Sequence, residues 1–299
     1  MLMRIFSWDY KNSISNGGFF QIAARLAHYT GNSTYYEWAE KIWDWTSSIG
    51  LIDNQFNVFD GTDDTINCTQ VDHTLWSYNP AMFLHGAATM YNYTNGSSLW
   101  ADRTAGLLES CNRTFFSPYP NATNVMYEHQ CEPDSTCNND QYSFKAYMAR
   151  WMAKSSVLAP FTRTAVLPLL TDSARAAARA CSGGDDGVTC GQKWYTGSYD
   201  GSYGVGQELS ALEVVQALLI EDAPAVKRRA DVKISEAPTS TLVPSATQSA
   251  DPAEQTQGAS SEPSKSADAK GAAVKNNESV VGVGMLALAV AVGGMLILT

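Results

Sequence analysis

Two kinds of helical pattern alternate along the first 220 or so residues. The stretches SISNGGFFQIAARLAHYT (13–30), WSYNPAMFLHGAATMYNYT (76–94), QYSFKAYMARWMAKS (141–155) and GVGQELSALEVVQALLI (204–220) are apolar around much of their circumference, the pattern of a helix buried on most sides. Between them, STYYEWAEKIWDWTSSIG (33–50), SLWADRTAGLLES (98–110) and TRTAVLPLLTDSARAAARA (162–180) are one-sided. The first of these sets Tyr35, Trp38, Ala39, Ile42, Trp45 and Ile49 on one face and Glu37, Glu40, Lys41 and Asp44 largely on the other. Thr34 and Glu37 have the spacing of a capping box, which would fix its start. Pro168 predicts that the third is kinked or divided in two.

Buried and one-sided helices in alternation, repeating about every 65 residues, predict helical hairpins arranged in a ring. The expected fold is all-α, an (α/α) toroid with four inner helices lining a centre and three outer ones around them. Six of each close an (α/α)6 barrel, so about seven helices make up only its C-terminal half or so. The helix count therefore predicts a chain shortened at its N-terminus, with part of the domain upstream of Met1. The start, MLMRIFSWDYKNSISNGG, agrees, since it has no apolar core of signal-peptide length.

Composition changes beyond this domain, residues 1–222. Residues 223–279 are rich in Ser, Thr, Pro and Ala and cannot bury enough apolar surface to offset ordering entropy, which predicts a disordered stalk. Lys227, Arg228 and Arg229 read first as solvated linker charge and second as a dibasic protease site. Residues 280–299 carry no charge and could span a bilayer. A short polar spacer with small residues precedes them and no basic anchor follows, the layout of a GPI-attachment signal; a plain C-terminal membrane anchor is the rival. Gly271 is the first choice for the attachment residue, with Ser266, Asn276 and Asn277 as alternatives.

Seven N-x-[ST] sequons, at Asn32, Asn67, Asn92, Asn95, Asn112, Asn121 and Asn277, predict a glycoprotein of the secretory pathway, carried by its GPI anchor to the outer face of the plasma membrane. The six cysteines agree: Cys131 with Cys137 and Cys181 with Cys190 each bound a loop that a disulfide could staple. No CxxC occurs and the four histidines are scattered, so neither metal nor cofactor is expected. A formal net charge of −10 argues against a phosphate-binding basic surface and so against nucleic acid as a partner.

In a toroid of this kind the loops leading into the inner helices converge on one face, where helix N-termini add donors and positive potential. Those loops read DYKNSISNGG (9–18), DHTLWSYNP (72–80), CNNDQYSFK (137–145) and WYTGSYDGSYGVGQ (194–207). Aromatic faces can stack on sugar rings while amides and carboxylates bind hydroxyls. The candidate sugar contacts are Asn16, Trp76, Tyr78, Asn79, Asp140, Gln141, Lys145 and Gln207. Each has a plainer reading as well: core aromatics for Trp76 and Tyr78, helix caps for Asn16 and Asn79, a snorkelling side chain for Lys145. Two pairs of adjacent carboxylates, Asp63 with Asp64 and Asp185 with Asp186, have the composition that glycoside hydrolysis uses.

The stretches DYKNSISNGGFFQIAARLAHYTGNSTYYEWAEKIWDW, NCTQVDHTLWSYNPAMFLHGAATMYNYTNGS, CEPDSTCNNDQYSFKAYMARWMA and CSGGDDGVTCGQKWYTGSYDGSYGVGQELSALEVVQ closely resemble fungal members of glycoside hydrolase family 76. The resemblance implies an (α/α)6 barrel acting with retention on α-1,6-mannan or on the mannose chains of GPI glycans, by hydrolysis or by transfer. It implies catalysis through two consecutive aspartates in a segment ahead of the part matching DYKNSISNGG, which places that dyad upstream of Met1. Neither aspartate pair here would then be the dyad, and the chain as written would be inactive. The resemblance also pairs a cysteine at the position of Cys68 with one further upstream, Cys111 being the only alternative partner in this sequence. The rival expectation is a non-catalytic mannan-binding surface protein, against which stands the apolar edge that half a toroid would leave uncovered.

Overall fold

The computed structural model describes residues 9–231. Residues 1–8, Met1 among them, lie outside the described residues, as do the stalk beyond 231, Ser266, Gly271, Asn276, Asn277 and the apolar segment 280–299. Within the described residues are seven α-helices: α1 (Ser13–Thr30), α2 (Ser33–Ser48), α3 (Tyr78–Tyr93), α4 (Ser98–Phe115), α5 (Phe144–Leu158), α6 (Arg163–Ala180) and α7 (Val205–Gln216). Helices α1, α3, α5 and α7 pack side by side in that order, with α2 against α1, α4 against α3, and α6 against both α5 and α7. Gln21 meets His85 at 2.6 Å and His28 meets Asn92 at 2.9 Å, each pair 64 residues apart. A constant offset of that kind requires α1 and α3 to run in the same direction. The stacking of Tyr78 on Phe144 at one end and the bond from Asn92 to Leu158 at the other extend the parallel arrangement to α5. These inner helices therefore begin at one end of the half-ring.

The all-α reading needs one amendment. A three-stranded antiparallel sheet, β1 (Tyr10–Asn12), β2 (Phe59–Asp63) and β3 (Val71–Leu75), packs at the start of α1, and a two-stranded ribbon, β4 (Cys181–Gly183) and β5 (Thr189–Cys190), follows α6. The stretch 60–73 is thus a β-hairpin, with Gly61 opposite Asp72 and Thr62 opposite Val71.

Two local expectations for α2 are corrected. Its cap is Asn32, whose Oδ1 accepts the Thr34 N–H at 2.9 Å, so the helix starts before the Thr34–Glu37 pair could box it. Its inward face carries Ala39, Trp43 and Thr46, whereas Trp38 is 47% exposed. The rotation follows from Trp43, which packs 5.7 Å from Phe20, 6.2 Å from Phe83 and 5.6 Å from Trp100, ring centre to ring centre. Helix α6 runs unbroken through Pro168. Pro168 and Thr164 are both exposed, so water can satisfy the carbonyl that the proline leaves without a donor.

Phe20 and Phe83 stack at 5.5 Å where α1 crosses α3. Two glycines make that approach feasible: a β-carbon at Gly17 would meet the Phe83 ring at 2.7 Å, and one at Gly86 would run into the Phe20 ring. Each fully buried phenylalanine contributes roughly 1.5–3 kcal/mol of transfer free energy. Away from this core, α1 exposes Phe19, Ile22, Leu26 and Tyr29, and α7 exposes Val205, Leu212 and Val215. Among the described residues, no helix is long and apolar enough to cross a membrane.

Candidate functional site

The starts of the inner helices bring an aromatic platform together. Tyr78, first residue of α3, stacks on Phe144, first residue of α5, at 4.0 Å and 15°. Trp76 meets the same ring edge-on at 5.7 Å. Beside the platform, the Tyr10 hydroxyl donates to Asp60 Oδ2 at 2.6 Å, joining β1 to β2. Burial holds the Asp60 carboxyl above the ordinary carboxylate range; the Tyr10 bond pulls it back down and the charge of Asp72 pushes it up again. Burial and then the Asp60 carboxylate raise the phenols of Tyr10 and Tyr78, so both remain protonated donors. Asn79 is wholly buried; its amide faces Asp60 closely enough to lower that carboxyl's pKa, yet neither of its polar atoms completes a hydrogen bond.

The other predicted contacts divide. Asn16 is buried and its Nδ2 donates to Asn12 O at 2.8 Å, while Asn12 itself caps α1 through the Ser15 N–H. Asp140 is exposed at the turn leading to α5, and Gln141 accepts the Asn138 N–H at 2.8 Å. Gln207 is buried with its Oε1 unpaired. Lys145 stands in the interior: its ammonium is fully enclosed, 2.8 Å from Glu132 Oε1, bonded to Gln192 O and 3.8 Å from the centre of the Trp194 ring. A pairing of that kind cannot be read from sequence because its partners are 13 and 47 positions away.

Asp63 ends β2 and Asp64 opens the turn after it, while Asp185 and Asp186 stand in the turn between β4 and β5. Asp63 accepts from the backbone and hydroxyl of Thr65, which hold its carboxyl below the usual range, and Asp64 pairs with Lys11. Asp186 accepts the Val188 N–H, and Asp185 is exposed in the same turn. A carboxylate that does stand beside the platform is Asp60, whose charge acts on the Tyr78 phenol. The disulfides join Cys131 to Cys137 and Cys181 to Cys190, while Cys68 and the buried Cys111 are free thiols. Asn32, Asn67, Asn95, Asn112 and Asn121 are exposed. Asn92 is not a ready glycan acceptor, because its Nδ2 donates to Leu158 O at 3.1 Å and its Oδ1 faces His28.

A separate cavity of about 690 Å³ lies along the inner wall toward the far ends of α1, α3 and α5. Gln21, Arg25, His85 and Lys154 line it and no carboxylate does. Burial, with the charges of Arg25 and Lys154 adding to it, pushes the His85 imidazole down to about 3, so it is neutral there. None of the platform residues reaches this cavity.

The sequence profile of Glycosyl hydrolase family 76 matches residues 4–230. Mannan endo-1,6-alpha-mannosidase DCW1 of Candida albicans is 46% identical over 230 residues, which is 74% of this chain and 50% of that protein. Mannan endo-1,6-alpha-mannosidase DFG5 of Saccharomyces cerevisiae is 45% identical over 228 residues, 74% of this chain and 49% of its own length. The chain thus spans about half the length of the curated relatives it matches. The crystal structure of Dfg5 from Chaetomium thermophilum in complex with glucosamine superposes with a TM-score of 0.72 at 39% identity, over 79% of this chain and 58% of that one. An alpha-1,6-mannanase of Salegentibacter sp. shares the fold at 18% identity, with a TM-score of 0.58 over 74% of this chain and 62% of its own.

Proposed function

Because this chain belongs to Glycosyl hydrolase family 76, we propose that its helix entrances form the mannan-binding face of a cell-wall endo-α-1,6-mannosidase-type enzyme. The observation that carries this reading is the platform: Tyr78 stacked on Phe144, Trp76 at its edge, and the Asp60, Tyr10 and Asn79 polar groups beside it. A flat apolar ring flanked by carboxylate, phenol and amide matches the two kinds of surface a pyranose presents. The relatives named above are mannan endo-1,6-alpha-mannosidases. An inactive variant of the Salegentibacter mannanase, altered at two consecutive aspartates, holds alpha-1,6-mannotriose.

In this reading the described residues supply sugar contacts, and the carboxylates that break the bond come from elsewhere in the assembled toroid. The reaction proceeds with retention, and the acceptor that resolves the intermediate, water or another glycan, decides between hydrolysis and transfer. The protein works at the cell surface, anchored through GPI at Gly271 and glycosylated at its exposed sequons. A second reading, a non-catalytic mannan-binding protein, is favoured by one observation: Asp63, Asp64 and Asp186 are each held by a partner, Thr65, Lys11 and the Val188 N–H.

Titration calorimetry of the chain with α-1,6-mannotriose tests the proposal. Tyr78→Ala should weaken binding at least tenfold, about 1.4 kcal/mol, and the double change Asp63→Asn with Asp64→Asn less than twofold. The reverse pattern would overturn the assignment of the face. Release of reducing ends from α-1,6-mannan by the chain, abolished by the double change, would return the dyad to Asp63 and Asp64.

A further inference from the structure

The connection between α4 and α5, which contains the Cys131–Cys137 disulfide, carries two wholly buried carboxylates that the sugar site does not use directly. Glu128 Oε1 accepts the Ser77 N–H at 2.9 Å, and Oε2 accepts the Ser77 hydroxyl. Ser77 is the residue before α3, and its hydroxyl makes no cap to the helix's own first turn. It is spent on Glu128 instead. The Glu128 N–H donates to Glu132 Oε1 at 2.9 Å, and the same oxygen takes Lys145 of α5 at 2.8 Å and Gln192 Nε2, ahead of α7, at 3.0 Å. One short loop thus ties together the approaches to three inner helices. Ser77 lies between Trp76 and Tyr78, the two residues whose rings meet Phe144.

We propose that Glu128 is a positioning residue: by holding Ser77 through both backbone and side chain, it sets the angle at which Trp76 and Tyr78 present their rings to a hexose. The inference rests on the reading of that platform as a sugar face. A residue that merely stabilised the fold could bond anywhere along α3; this one grips the single position between the two aromatics, from a loop already pinned to α5 and to the segment before α7. The groups facing Glu128 are Ser77 and Tyr78 at the start of α3, Tyr127 and Glu132 on its own loop, and Lys145 on α5. Burial pushes the Glu128 carboxyl up to about 8; the two Ser77 bonds oppose the rise, Glu132 adds to it and Lys145 opposes it. At mildly acidic pH the group is neutral. Above about 8 it becomes an anion beside Glu132, and the loop and Ser77 must accommodate a second buried charge.

Two variants test the proposal: Glu128→Gln, which keeps an acceptor for the Ser77 N–H and a donor for its hydroxyl, and Glu128→Ala, which keeps neither. Hydrogen exchange of the Ser77 amide should accelerate at least tenfold in Glu128→Ala and stay within threefold of wild type in Glu128→Gln. Affinity for α-1,6-mannotriose at pH 5.5 should fall at least tenfold in Glu128→Ala and less than twofold in Glu128→Gln. Between pH 6.5 and 9 it should weaken several-fold in the wild type and remain level in Glu128→Gln. Unchanged exchange at Ser77 in Glu128→Ala would overturn the proposal. So would faster exchange with undiminished mannotriose binding, since Ser77 would then be held without consequence for the rings. If even the wild type fails to bind mannotriose, the mannan reading falls, while the exchange result still decides whether Glu128 holds the entrance.

Discussion

Phe20 and Ile22 stand two positions apart on α1 and occupy different surroundings. Phe20 is wholly buried among Trp43, Phe83 and Trp100; Ile22 is 54% exposed, in a row with Phe19, Leu26 and Tyr29. Helix α7 repeats the division, with Val214 buried and Leu212 and Val215 open. Helix α3, flanked by α1 on one side and α5 on the other, has no such open row. An inner helix with two inner neighbours buries its whole apolar circumference, and one with a single neighbour leaves a stripe. Ile22, Leu26 and Tyr29 line the cavity opposite Trp151 and Lys154, so this apolar row faces open space rather than a packed neighbour. Contiguous apolar stripes of this kind mark interaction surfaces.

The largest effect should come from the covered side. Phe20→Ala should lower stability to urea by about 3–5 kcal/mol, whereas Ile22→Ala on the same helix should cost less than about 0.5 kcal/mol; equal losses would erase the distinction. Gly86→Ala should cost about 1–3 kcal/mol, because the added methyl group meets the Phe20 ring in a packed joint. A smaller effect concerns the buried carboxyl behind α3. With its folded pKa raised to about 8 against about 4.3 in the unfolded chain, Glu128 keeps a proton that the unfolded state releases within that window. Stability should therefore fall as pH rises from about 4.3 to about 8. Thermal melts should show Glu128→Gln at least ~1 kcal/mol more stable relative to wild type at pH 9 than at pH 5; a constant difference would contradict it. On the open side, Ile22→Ser with Leu212→Ser should leave the melting temperature nearly unchanged but reduce self-association in light scattering.

The helices were legible because the apolar period of their faces is long and sustained; α1 begins and ends where its pattern does. The sheet was not, since YKN, FDGTD and VDHTL are short and hold few aliphatic residues, and β1 pairs with a strand about 50 positions away. Helix α2 is so rich in tryptophan and tyrosine that two different faces could point inward, and only the Phe20–Trp100 pocket selects Trp43. At the site, Trp76, Tyr78 and Asn79 were marked by clustering before an apolar helix. Asp60 and Tyr10 were not singled out, because the bond between them joins two strands that sequence did not reveal. Glu128 and Glu132 sit in EHQCEPD, which reads as a polar loop; the flanking cysteines were the one local sign that the segment is held against the body. Lys145 reads from sequence as a surface charge, and its place in the interior depends on Glu132, 13 positions away.

The paired glycines of α1 and α3 have a mechanical consequence. Each helix contributes one phenylalanine and one socket to the joint, Phe20 seated over Gly86 and Phe83 over Gly17, so the joint is keyed twice. A slip of one helical turn, about 5.4 Å, would drive both rings out of their sockets at once and against neighbouring β-carbons. Such a joint transmits displacement instead of absorbing it: a push on the far end of α1 arrives at its start, where Asn12 and Tyr10 lie, with little loss. Rigidity of that kind also constrains inheritance, since neither phenylalanine nor glycine at this crossing can drift alone without a compensating change in the helix it faces.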